Sequence, residues 1–136
     1  MNIDSELAEQ AVLSAMLRDE TGKAIALAGE SLTEDDFSSA DRSSIFATAL
    51  RLAPCNEIDV IIEKPELNDE VIFLAEKYGG GSIERYIEYL IEYRNKRAVK
   101  LALLHATDEL KQHKTAEEIS QGFVNRVAKS LSKRKG

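Results

Sequence analysis

From Ile83 to His113 the chain runs through 31 residues without a glycine or a proline. Such a stretch reads as one long helix, because the two residues that most readily break helices are absent. Its apolar residues do not keep to one side. Tyr86, Ile87, Tyr89, Leu90, Ile91 and Tyr93 fall within eight residues, and Ala98, Val99, Leu101, Ala102, Leu103, Leu104 and Ala106 within nine. A helix that is apolar over more than one stripe needs contacts on more than one side. A chain of 136 residues builds only one modest core. The economical expectation is self-association or a partner protein, with a compact monomeric core as the alternative.

Lys114-Thr115 reads as a turn, and Thr115-Ala116-Glu117-Glu118 as a capping box that starts a last helix. That helix carries a clean stripe of Ile119, Phe123, Val127 and Leu131, with Val124 and Ala128 beside it. Two helices joined by a short turn are expected to form an antiparallel hairpin.

The residues before the long helix predict a small helical body. Asp4 or Ser5 caps a first helix to about Arg18, with apolar residues at three- and four-residue spacings. A short helix is expected over Gly22–Ala28, stopped near Gly29. Thr33 is placed as the N-cap of the acidic turn Glu34-Asp35-Asp36, and Asp41 as the cap of a helix through Ala53. Asp59 opens DVIIEK, which suits either a strand or a helical turn, and Leu67–Lys77 forms another helix. The expected fold class is all-α: a small globular helical bundle over residues 1–81, a long antiparallel two-helix hairpin over 82–133, and the start of a linker or tail at 134–136.

Tyr78-Gly79-Gly80-Gly81-Ser82 invites comparison with a phosphate-cradling loop. A Walker A loop needs a Lys and then a Ser or Thr after its last glycine, to reach the terminal phosphates and magnesium. Here Ser82-Ile83-Glu84 follows instead, and no strand precedes the glycines. The glycines are expected to end one helix and Ser82 to cap the next. No catalytic, cofactor-binding or metal-ligating constellation emerges. His105 and His113 lack ligand companions, and one cysteine, Cys55, rules out an intramolecular disulfide and a cysteine-based zinc site. It also fits a reducing cytoplasm, and no apolar run approaches the ~18 residues that span a bilayer.

Charge divides the chain. Residues 1–93 hold 7 Lys+Arg against 20 Asp+Glu, a net −13, and residues 94–136 hold 11 against 4, a net +7. An acidic body thus carries a basic arm ending KSLSKRKG. That arm could touch DNA only weakly and in a salt-dependent way, since no aromatic platform lies among its basic residues.

Several motifs, taken in order, resemble the N-terminal domain of DnaB-type bacterial or phage replicative DNA helicases. Glu6-Leu7-Ala8-Glu9-Gln10-Ala11-Val12-Leu13 is similar to the family's opening EAEQ-x-VL signature. Asp36-Phe37 followed by Ser44-Ile45-Phe46 resembles its DF…IF pattern, and Asp59-Val60-Ile61 stands at its Asp-aliphatic-Thr turn. Phe73-Leu74-Ala75-Glu76 resembles its aromatic-Leu helix, and Ile83, Tyr86 and Arg97 fall where its hairpin carries Ile, Tyr and Arg. The likeness runs over residues 3–132. The usual Trp after the first helix is absent, Arg42 replaces the usual His before the IF helix, and YGGGS replaces a polar loop.

The resemblance implies a collar domain without a motor. ATP and magnesium would belong to a following RecA-like domain, so no catalysis is expected of these residues, while a full-length parent would be an ATP-dependent helicase. The implied partners are further copies of the chain, as a dimer or a trimer of dimers, the C-terminal domain of primase, and a helicase loader. Tyr86, Ile87, Leu90, Tyr93, Arg97, Leu101 and Leu104, facing Ile119, Phe123, Val127 and Leu131, form the expected self-association or docking surface. The chain is expected to be a domain taken from a longer helicase, a natural stand-alone protein being the other possibility. Alternative identities are the helicase-binding C-terminal region of a primase, and a phage adaptor that imitates the collar.

Overall fold

A computed structural model describes residues 4–77 and 82–131. The described residues are all-α, with no strand. Seven α-helices follow in order: α1 (Ser5–Arg18), α2 (Lys23–Ser31), α3 (Ala40–Leu52), α4 (Glu57–Glu63), α5 (Asn68–Glu76), α6 (Ile83–Glu109) and α7 (Ala116–Leu131). Short 3-10 turns at Glu34–Asp36 and Pro65–Leu67 lead into α3 and α5. The expected glycine joint at Gly79–Gly81 lies outside the described residues. The chain divides into two compact units, residues 1–91 and 92–136, so α6 begins in one and ends in the other.

Local chemistry explains the helix ends. Asp4 accepts the amide of Leu7 at 2.7 Å and starts α1. Ser39, not Asp41, caps α3, its hydroxyl accepting from the Arg42 amide at 3.1 Å. Asp41 sits in the first turn, where the helix dipole favours its charge. DVIIEK is helical because Asn56 accepts the amides of Ile58 and Asp59, while Asp59 accepts the Asn56 amide at 2.9 Å.

Two glycines act by close approach. Gly22 holds φ of 81° before α2, and a Cβ there would stand 3.1 Å from Pro54 Cβ. α2 runs through Gly29 to Ser31 instead of stopping there; a Cβ on Gly29 would come within 2.8 Å of Leu50 Cδ2. α6 ends at Glu109, short of His113, because Lys111 and Gln112 bond back to Asp108 and Glu109 in a tighter three-residue pattern.

The core of the first unit lies between α1, α3 and α5. Val12, Leu13, Met16 and Leu17 meet Ile45, Phe46 and Ala49 of α3, Val60 of α4, and Val71 and Leu74 of α5. Phe37 and Phe46 stack obliquely, with ring centres 4.8 Å apart. Leu7, at the outer edge of α1, is 39% exposed. Cys55 is buried, its Sγ 3.7 Å from the Ala49 carbonyl, and burial pushes its thiol pKa up. Arg18 donates to the carbonyl of Ala75 at 2.7 Å, near the end of α5.

One polar node crosses this apolar core. Arg42 is buried and faces Glu9 at 3.4 Å, Glu70 at 3.2 Å and Glu6 at 3.4 Å. Glu9, also buried, accepts both the amide and the hydroxyl of Ser38 at 3.0 Å. The family-like Glu9 and the divergent Arg42 are therefore partners. Removing one member of a buried pair strands the other charge, at a cost of about 3–5 kcal/mol. Arg42→Met is expected to lower stability by about that much, read from urea denaturation, whereas Glu9→Leu with Arg42→Met should cost less than the two single changes summed. An additive double mutant would show that the pair is not coupled.

Candidate functional site

α6 presents different surroundings along its length. In the first unit Ile87, Leu90 and Ile91 are buried in the core, with Ile83, Tyr86 and Tyr89 packed half-buried against it. Of the expected docking residues, Ile87 and Leu90 are thus taken up by the body, and Tyr86 partly so.

In the second unit, Asn95, Ala102 and Glu109 are buried at seven-residue intervals and share one stripe of α6; Ile119 is the buried residue of α7. The bulky apolar residues off that stripe stay exposed. Tyr93, Arg97, Leu101 and Leu104 follow at four-, four- and three-residue steps along the face of α6 that points away from the stripe, and each is exposed. The Arg97 guanidinium stands 5.4 Å from the Tyr93 ring centre, within cation–π range. Leu101 and Leu104 are 59% and 55% exposed. Leu103 and Leu110, also seven apart, lie beside the stripe and are exposed, as is Val124 of α7. Phe123 and Val127 are half-buried and Leu131 is exposed.

Leu103, Leu110 and Val124 belong with the exposed set although they were not among the expected docking residues. The seven-residue repeat of Leu103 and Leu110 is the signal that would have found the first two.

Glu109 ties the turn after α6 to α7. Its carboxylate accepts from Arg126 at 3.0 Å and pairs with Lys114. Thr115 and Glu118 complete the capping box that starts α7: the Thr115 hydroxyl accepts the Glu118 amide at 3.1 Å, and the Glu118 carboxylate accepts the Thr115 amide at 2.8 Å. The Arg126 hydrogen bond, then that of Lys114, holds the Glu109 carboxyl at about 2, well below its ordinary 4.5. Hydrogen bonds from Thr115 likewise lower the Glu118 carboxyl. Among the described residues, no group of three or more His, Cys, Asp or Glu side chains is arranged to hold a metal, and no helix is long and apolar enough to cross a membrane. His105 and His113 are exposed. The arrangement offers apolar and aromatic contact area.

The sequence profile described as "DnaB-like helicase N terminal domain" matches residues 2–93, and the chain belongs to that family. The match ends two residues into the second unit. No curated protein matches the chain.

A depressed carboxyl pKa contributes stability that is present above the unfolded value and lost as pH falls through the folded one. The tie between Glu109 and α7 is therefore expected to hold at neutral pH and to fail as pH drops from about 4.5 to about 2. Carboxyl NMR should give a Glu109 midpoint near 2, and Arg126→Ala should move it towards 4.5. A wild-type midpoint near 4.5 would mean that the pairing is absent in solution.

Proposed function

We propose that this chain is the collar domain of a replicative DNA helicase, associating with copies of itself through α6 and α7 and receiving the C-terminal domain of primase. The supporting observation is the row of exposed leucines and tyrosine on the face of α6 that points away from its buried stripe, on a chain of this family. Tyr93, Arg97, Leu101 and Leu104 supply the working face, with Leu103, Leu110 and Val124 added to it and Phe123, Val127 and Leu131 contributing from α7. In this reading α6 and α7 form an antiparallel hairpin, dimers join as a trimer of dimers, and ATP hydrolysis belongs to a separate motor domain. A helicase loader is a further partner, contact with DNA through the basic arm is weak, and the setting is the bacterial cytoplasm.

Magnitudes limit how strong one pairing can be. Burying a fully exposed leucine stabilises by about 1.5–3 kcal/mol, and half-exposed ones give about half of that. Four such leucines from each of two copies supply on the order of 8 kcal/mol. Association costs about 4–15 kcal/mol in lost freedom and ordering. An isolated pair is accordingly weak, and ring closure, which makes later contacts intramolecular, would be needed to hold the assembly firmly.

Sedimentation of the wild type is expected to show self-association that rises with concentration. Leu101→Glu with Leu104→Glu should abolish it, while changing stability by no more than about 0.5 kcal/mol because both sites are exposed. Calorimetric titration with the C-terminal domain of a bacterial primase at two salt concentrations tests docking. Saturable binding that persists at the higher salt fits an apolar surface, whereas its absence would remove primase docking by this domain.

A further inference from the structure

The first unit carries a second exposed apolar surface, outside the proposed collar contacts. On α4, Ile58 and Ile62 are one turn apart and 57% and 73% exposed, pointing away from the buried Val60. On α5, which packs against α4, Phe73 and Ile72 are exposed while Val71 and Leu74 face the core. Asp69, Phe73 and Glu76 follow at steps of four and three, so an acid lies on each side of Phe73 along one helix face. The Lys77 ammonium stands 5.2 Å from the Phe73 ring centre, so this ring already receives a cation.

Residues 57–76 hold seven carboxylates against one lysine. Three of the seven are occupied: Asp59 caps α4, Glu63 meets Arg51 at 2.9 Å and Glu70 meets Arg42. Asp69 and Glu76 make no ion pair among the described residues and are exposed. Large apolar side chains clustered within a polar rim mark interaction surfaces more often than solvated faces. A second copy of the same face would bring acid against acid, which opposes symmetric pairing there.

We propose that the α4–α5 face docks a basic amphipathic helix of a partner protein. Apolar residues on one side of that helix would cover Ile58, Ile62 and Phe73, and its lysines or arginines would meet Asp69 and Glu76. The charge contribution is exposed and hence falls with salt, while the apolar contribution persists.

The test uses the full chain and an 18-residue peptide of leucine and lysine patterned as an amphipathic helix, with the same peptide carrying glutamate for lysine as control. Methyl and aromatic NMR shifts should move saturably at Ile58, Ile62, Ile72 and Phe73 with the lysine peptide and not with the glutamate one. Ile62→Ser with Phe73→Ala should weaken binding about tenfold or more. Asp69→Asn with Glu76→Gln should weaken it at low salt and flatten its salt dependence. All four positions are exposed, so unchanged melting temperatures would confirm intact folding. Shifts confined to other surfaces, equal binding of the glutamate peptide, or no effect of these substitutions would overturn the proposal. So would concentration-dependent shifts at Ile62 and Phe73 without peptide, which would assign the face to a second copy.

Discussion

The buried meeting of Arg42 with Glu9 and Glu70 is the constraint on which the arrangement of the first unit depends. Apolar side chains pack in any orientation that fills space, whereas a buried guanidinium accepts only geometries that supply carboxylates in its plane. Glu9 comes from α1, Arg42 from α3 and Glu70 from α5, so one charged group fixes the mutual register of three helices. Glu9 also holds the Ser38 amide and hydroxyl, which sets the chain's entry into α3. A rotation of α1 by one residue would leave a buried charge alone, and desolvation makes that far worse than a modest loss of apolar contact.

Much of this unit was legible in the sequence, but unevenly. Apolar spacing in α1, and the caps and breaks around α3 and α5, placed these helices close to where they stand. Glu9 stood out within a family-like motif, yet its partner lies 33 residues away and looked like a departure from the pattern. Only the fold brings them together. DVIIEK was ambiguous because six residues carry little periodicity; the Asn56 and Asp59 pair was the decisive local signal, readable as a capping box. Gly29 resembled a helix stop, but its role is to admit Leu50, which no local pattern encodes.

The long helix was legible as a helix and much less so as a surface. Its apolar residues share one composition, and spacing cannot tell which of them the body will claim. That depends on where along α6 the first unit ends, after Ile91. The family match stops at nearly the same place, although the motif resemblance had extended to residue 132. Beyond residue 93 the signals are generic helical spacings, which many unrelated hairpins share. There the buried stripe holds Asn95, Ala102 and Glu109, a set with little apolar area to bury, of which Glu109 meets Arg126 and Lys114. The leucines that could have formed an apolar seam lie beside it, as Leu103 and Leu110 do, or on the far face of the helix, as Leu101 and Leu104 do.

Cys55 gives the molecule a built-in reporter. It is the sole thiol in the chain, and it is shielded by the same core that Arg42 organises. A buried thiol with a raised pKa reacts slowly, so alkylation must wait for the first unit to open. Its labelling rate under native conditions would therefore follow opening of the body and stay blind to loss of the Glu109 tie in the second unit. A partner that stabilises the body would slow the labelling, while one that touches α7 alone would leave it unchanged.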